Sequence, residues 1–286
     1  MRKGKNPKPI KGRSKGAEYD EIVSKIRDVG EIEKIIKGLA YGKSGTGKTT
    51  LACHILPKPL LLIDMKEEGS DSVQDVEGVK VVRCESWEDL ENLYWYLESG
   101  NHPYKSFVAD TITQAQELAQ KHVMAEEGKD FLSLQIRGKA SEIMKTLFIN
   151  FRDLPYHSFL LAQDRTDEVD TEEEDQIMPS VGPALSPGIA KTVTAMVKLI
   201  FNTYIQEVVS RKEGRIERRM EYRVRTGPHP YYITKVRKPK SKSVPDYVVD
   251  PTFDDVLALM SGTYVAKAPK VSGGKPKTGK RPLRRK

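Results

Sequence analysis

The chain has 286 residues, long enough to bury one sizeable core, and only two cysteines, too few for a disulfide framework. Its formal charge of +8 is unevenly spread: residues 1–16 hold seven Lys/Arg and residues 266–286 hold nine, neither with an acid, so the remaining 32 basic residues face all 40 acids. No apolar run approaches the ~20 residues of a membrane helix, and the basic N-terminus lacks an apolar signal core, which predicts a cytoplasmic protein without membrane contact.

The two termini are rich in Gly, Pro and Lys and poor in large apolar residues, so neither can fold alone. The sequence therefore divides into a basic tail over 1–17, a mildly acidic globular domain over 18–264 and a second basic tail over 265–286. Two readings of the tails stand: solubility, or contact with a polyanion through counterion release.

Along the chain, Ile22, Val23 and Ile26 have helical spacing within a predicted helix from Glu18 to Val29. Ile35 to Tyr41 reads as a strand running into a glycine-rich loop, and Thr49 to Leu56 as a helix stopped by Pro57 and Pro59. Pro59 to Met65 is an apolar run of buried-strand type, and Val79 to Cys84 a shorter strand. Ser86 and Asp89 are placed as a capping box for a helix reaching Ser99.

Ser106 to Ala109 forms the next strand, ending on Asp110; a long helical pattern follows, broken near Glu127-Gly128 and resumed from Lys139 to Arg152. Ser158 to Gln163 is a further buried strand, after which an acidic stretch to Pro187 reads as irregular. Ala195 to Val208, Arg215 to Arg225 and Tyr231 to Arg237 read as successive strands, and Thr252 to Met260 as a closing helix. Strands alternating with helices, then a late meander, predict an α/β fold: a mostly parallel sheet with helices on both faces and a C-terminal antiparallel extension. Cys53 and Cys84 lack metal-ligand spacing and could pair only if folding brought them together.

Gly42-Lys43-Ser44-Gly45-Thr46-Gly47-Lys48-Thr49-Thr50 meets the G-x-x-x-x-G-K-[S/T] pattern between a predicted strand and a predicted helix, the context a working phosphate loop requires. Glycines let backbone N–H groups point at phosphates, and the helix N-terminus adds partial positive charge. The expected ligands are ATP and Mg²⁺, with Lys48 on the β- and γ-phosphates and Thr49 on the metal. Asp110, ending a neighbouring strand, fits the carboxylate that holds the magnesium through water, although a helix N-cap would suit the same residue. Thr111, not an acid, follows it. The AAA+ family usually puts its catalytic glutamate at that place, so the sequence argues against that family. The water-orienting base must come from elsewhere; Glu68, before Gly69, is the first candidate and Glu67 the second, with a solvated acidic turn as the alternative.

This order of motifs resembles the RecA-like P-loop ATPases, and more closely the phage-encoded RecA-like nucleotide-binding proteins that include single-strand annealing recombinases. The resemblance spans roughly residues 35 to 260: the loop, an Ile-Asp…Glu-Gly strand end, Asp-Thr-Ile-Thr at 110–113, Gln163, Gly-Pro-Ala-Leu at 182–185, and Ile-Thr-Lys-Val-Arg at 233–237. It implies that Gln163 senses the γ-phosphate, and that Lys235 and Arg237 form a finger reaching the nucleotide of the next subunit in a homo-oligomeric ring or filament. Alternate strand residues share a face, so both cations can approach one triphosphate; a basic edge strand is the plainer alternative.

The resemblance further implies single-stranded DNA as a partner, replication or recombination proteins beside it, and the host cytoplasm if a phage encodes the chain. Two other functions stay open: a switch ATPase acting on proteins, and a nucleotide-binding assembly module with little turnover. Asp164, Asp167, Glu168, Asp170, Glu172, Glu173, Glu174 and Asp175 face only Arg165 in the stretch after Gln163, a charge that repels phosphate. Lys129, Arg137 and Lys139 near Phe131 make the loop before it the better nucleic-acid contact.

Overall fold

The computed structural model describes residues 19–20, 22–65, 69–170, 177–212 and 215–266. The chain divides into two compact units, residues 1–35 and 36–286. In the described part of the first, residues 19–20 and 22–23 are helical and a 3-10 turn follows at Val29–Glu31, with Tyr19, Ile22, Val23 and Ile26 exposed.

The second unit begins with β1 (Lys37–Tyr41), α1 (Lys48–Ile55), β2 (Leu60–Asp64), β3 (Val79–Arg83), α2 (Trp87–Glu98) and β4 (Ser106–Asp110). It continues with α3 (Ile112–Glu126), α4 (Leu134–Asp153), β5 (His157–Ala162), β6 (Asp164–Asp170), β7 (Ile177–Pro183), α5 (Pro187–Met196) and the long strands β8 (Leu199–Lys212) and β9 (Arg215–Arg225). β10 (Lys235–Val236), β11 (Tyr247–Val249) and α6 (Phe253–Ser261) close it.

Among the described residues the main sheet has nine strands in the order β11-β9-β8-β1-β5-β4-β2-β3, with β10 beside β8. From β8 to β3 every pairing along this path is parallel; β9, β10 and β11 join antiparallel. β1, β2 and β4 are buried at every residue, which is why their sequences are apolar runs and not alternations. The two sheet faces carry separate cores. Leu39, Tyr41, Ile63 and Ala109 pack under α2, α3, α4 and α5; Ala40, Leu62, Val108, Phe201 and Val224 pack under α1 and α6.

Three expectations need correction. The acidic stretch after Gln163 is not irregular in its described part: Asp164–Asp170 pairs antiparallel with Ile177–Pro183 as a separate two-stranded sheet. Ala195 and Met196 end a helix and do not begin a strand, because Ser186-Pro187 opens α5 with proline in its first turn, leaving Ile189 and Val193 to face the core. Within the strand expected over 231–237 only Lys235–Val236 pairs with β8, while Tyr231 and Ile233 bond to Val181 on β7. Cys53 and Cys84 are free and buried in different cores, and burial pushes both thiols up to about 12. The capping box at Ser86 and Asp89 is as expected.

One core feature gives stability a pH dependence. Lys37, the first residue of β1, is only 7 % exposed, and its ammonium donates to the carbonyls of Leu154 (2.7 Å) and Tyr156 (2.6 Å). Burial first, then Lys198 and Arg152 against the opposing Asp153, lowers its pKa from 10.5 to about 8. The unfolded chain therefore holds more protons than the folded one between pH 8 and 10.5, and stability contributed at this site rises with pH across that window. The full gain is about 3 kcal/mol. Lys37→Met is expected to abolish this rise, seen as the difference between wild-type and variant urea midpoints from pH 7 to 10.5; equal slopes would show that Lys37 does not titrate in the window.

Candidate nucleotide site

The loop between β1 and α1 turns on Gly45 and Gly47, whose φ angles of 77° and 81° lie where side chains with a Cβ are strained. Gly47 is also the N-cap of α1, so backbone donors and the helix dipole converge on the loop mouth. Lys48 folds back over this mouth, donating to the carbonyls of Gly42 (2.9 Å) and Lys43 (3.0 Å) and to Gln163 Oε1 (3.3 Å). Gln163 lies just after β5, and its backbone N–H is held by Thr113 Oγ1 at the start of α3. The segment from Tyr41 to Gln163 thus closes on itself because β1 and β5 are parallel neighbours with Tyr41 opposite Ala162.

Thr49 Oγ1 donates to Asp110 Oδ2 at 2.6 Å, and Asp110 is buried at the end of β4. Asp64 ends β2 directly opposite Asp110, with Arg83 3.9 Å from its carboxylate. Among the described residues no cluster of three or more His, Cys, Asp or Glu could cage a metal. Thr49 and Asp110 instead supply hard oxygens suited to a magnesium ion that shares its remaining positions with water and phosphate, the usual arrangement for that ion. Gly69 faces this pair: a Cβ there would fall 2.4 Å from Asp110 Oδ2 and 3.1 Å from Thr49 Oγ1.

A cleft of about 840 Å³ opens over the loop, ample for a nucleotide. Its floor includes Gly69, Asp110 and Gln163; its side wall comes from Thr203, Tyr222 and Arg223 on β8 and β9; Asp250, Pro251 and Thr252 close its far end. Thr203 Oγ1 bonds to Thr46 Oγ1 at 2.7 Å, and Tyr222 packs beside Gly47.

The structure thus brings the loop, Lys48, Thr49, Asp110 and Gln163 together. Glu67 and Glu68 lie outside the described residues. Lys235 and Arg237 do not line the cleft; they bond to the carbonyls of Thr194 and Ala195 at the end of α5. The wall residues Thr203, Tyr222 and Arg223 are absent from the sequence reading, since only strand register brings them to the loop. Arg223 borders the cleft, whereas Arg225, two residues on, donates to Asn202 Oδ1 at 2.7 Å and lies over the rings of Tyr204 and Tyr232.

Comparison with protein-family models matches residues 34–238 to an AAA domain. The chain belongs to the AAA domain family. The match covers the main sheet from β1 to β10, including every loop residue, so the chain is a nucleotide-binding P-loop ATPase domain. No curated protein matches the chain. The absence of an acid at Thr111 therefore does not exclude an AAA domain: a water-orienting carboxylate need only reach the γ-phosphate, and other strand ends border the loop. Among the described residues no helix is long and apolar enough to cross a membrane.

Proposed function

We propose that this AAA domain is a RecA-like ATPase that uses ATP and Mg²⁺ to act on single-stranded DNA, in recombination, annealing or replication of phage type. The observation that carries the reading is the contact between Lys48 Nζ and Gln163 Oε1. Lys48 is the loop lysine that meets the β- and γ-phosphates, and Gln163 is the last residue before the β6–β7 hairpin. A change in phosphate occupancy at Lys48 is therefore one side-chain bond from a hairpin anchored to the main sheet through Tyr41, whose hydroxyl donates to the Val181 carbonyl at 2.9 Å.

In this reading Thr49 and Asp110 hold the magnesium, which neutralises phosphate charge. Glu68, or Glu67 beside it, orients the attacking water; and Lys235 and Arg237 reach the nucleotide of a neighbouring copy in a ring or filament. An arginine so placed is worth ~10³-fold or more in rate. The DNA contact combines the two basic tails with the loop between α3 and α4. Phe131 in that loop is exposed and suited to base stacking, while Lys139, in the second turn of α4, is paired with Glu127.

The test is ATP hydrolysis with and without single-stranded DNA for wild type and Arg237→Ala. Stimulation by DNA, and a loss of about 10²-fold or more in Arg237→Ala with nucleotide affinity preserved, is the expected result. Full activity in Arg237→Ala would remove the inter-subunit finger, and absence of both DNA binding and stimulation would remove the DNA reading. A second reading, a switch ATPase acting on a protein, is favoured by the acids of β6: Asp164 and Asp167 repel phosphate, and Arg165 is spent on Asp167 and the Leu185 carbonyl. Hydrolysis indifferent to DNA but stimulated by a protein would select it.

A further inference from the structure

Gln163 stands where the main sheet ends. Ala162 before it is opposite Tyr41 on β1, and Leu161 is opposite Asp110 on β4. Both ladders stop there, because β1 runs on into the phosphate loop and β4 into α3. A backbone N–H just past the end of a ladder needs an acceptor from elsewhere. Thr113 supplies one: its Oγ1 accepts the Gln163 N–H at 3.1 Å. The Gln163 carbonyl in turn accepts the N–H of Ala184, on the returning side of the β6–β7 hairpin, at 2.7 Å. Both backbone groups of Gln163 are thus fixed from outside the main sheet, while its side chain meets Lys48 Nζ at 3.3 Å.

The other foot of the hairpin is tied to the same helix. Gln116 Oε1 accepts the N–H of Ser186, the N-cap of α5, at 2.7 Å. Thr113 and Gln116 stand at i and i+3 on α3, the spacing that puts two side chains on one face. Arg165 adds a bond inside the hairpin's base, from Nη1 to the Leu185 carbonyl at 2.9 Å. Starting the helix does not call for these contacts. Thr111 is the N-cap of α3 and its side chain already accepts the Gln114 N–H, whereas Thr113 and Gln116 reach partners 50 and 70 residues along the chain. α3 follows directly on Asp110 and Thr111. The strand end that carries the proposed magnesium carboxylate therefore also leads into the two residues that set where Gln163 stands.

We propose that Thr113 is a positioning residue for Gln163: with Gln116 steadying the hairpin's return, it holds the Gln163 amide within reach of Lys48 and of the phosphate that Lys48 meets. The bond acts through placement, and a misplacement of ~1 Å at a reacting centre can cost ~10²-fold in rate. The inference rests on the role given to Gln163 under Proposed function and deepens it; it is independent of the DNA reading and of a neighbouring copy's cations.

The test is steady-state ATP hydrolysis by the full chain in Mg²⁺ for wild type, Thr113→Val, Thr113→Ser, Gln163→Ala and the double variant Thr113→Val/Gln163→Ala. Valine keeps the shape of threonine and removes the acceptor. Thr113→Val is expected to lower kcat about tenfold with KM within about twofold, since the phosphate loop itself is untouched. Thr113→Ser, which restores a hydroxyl, should recover most of the loss. Gln163→Ala should lose at least as much as Thr113→Val, and the double variant should be no slower than Gln163→Ala alone, because nothing is left to position. A residue that only stabilises the fold would lower the melting temperature without this split between kcat and KM and without this non-additivity. Should Thr113→Val lose its cooperative melt, Gln116→Met, which removes the acceptor for Ser186, carries the same comparison with Gln163→Ala. A slow Gln163→Ala beside a Thr113→Val as fast as wild type overturns the inference and leaves the role of Gln163 standing. So do losses that multiply in the double variant. Wild-type turnover in Gln163→Ala overturns that role and the inference with it.

Discussion

Lys48→Ala is expected to reduce ATP hydrolysis by about 10²-fold or more, the scale seen when one preorganised donor is removed from a site of developing charge. The ammonium is buried at the loop mouth, where it donates to two loop carbonyls and to Gln163. Those three acceptors fix its position before any phosphate arrives, so its contribution costs little reorganisation. Alanine removes the cation and also severs the link between the loop and Gln163. The measurement is steady-state hydrolysis together with the affinity for a fluorescent ATP analogue. Hydrolysis within a few-fold of wild type, in a protein with an unchanged melt, would show that Lys48 does not meet the phosphates.

Gly69→Ala is expected to be nearly as damaging, for a steric reason. The added Cβ would lie 2.4 Å from Asp110 Oδ2, a separation at which something must move. Since Asp110 is buried and bonded to Thr49 Oγ1, the methyl group displaces the two oxygens proposed to receive magnesium, or pushes the 3-10 turn at Gly69–Val73 away from the cleft. Nucleotide affinity in Mg²⁺ should fall by about tenfold or more, roughly 1.4 kcal/mol, while affinity in EDTA changes little. Isothermal titration in the two buffers separates these. Equal losses with and without magnesium would place the damage in the nucleotide cleft at large and not at the Thr49–Asp110 pair.

The parts of the site legible in the sequence are those encoded by neighbours in the chain. The phosphate loop is contiguous, and its strand and helix are marked by an apolar run and a glycine-to-lysine switch. Asp110 and Gln163 were readable because buried parallel strands are uninterrupted apolar runs, and a polar residue at the end of such a run sits at the sheet's carboxyl edge. Thr203, Tyr222 and Arg223 were not readable in the same way. Their place beside the loop follows from β8 lying parallel to β1 and β9 returning antiparallel, a register that local pattern does not contain. Gly69 was visible as a letter, but the reason for it, two oxygens facing its missing side chain, exists only in three dimensions.

The misread elements have physical reasons as well. Ser186-Pro187-Gly188 has the composition of a turn, yet proline in the first turn suits a helix, and the apolar spacing of Ile189 and Val193 was the stronger signal. The acids of β6 lack the apolar alternation of a half-buried strand, yet every residue from Asp164 to Asp170 has a partner on β7.

Lys235 and Arg237 give the end of α5 a second significance. Both cations are engaged by its last carbonyls, so in the proposed assembly reaching a neighbour's phosphates means exchanging those bonds for new ones. Engagement of one subunit would then be felt by its own helix end, which becomes a local reporter of whether the adjoining nucleotide has been met. In the proposed assembly turnover would rise more steeply than protein concentration, because two chains must meet to complete each site, and the internal bonds of Lys235 and Arg237 would weaken that meeting.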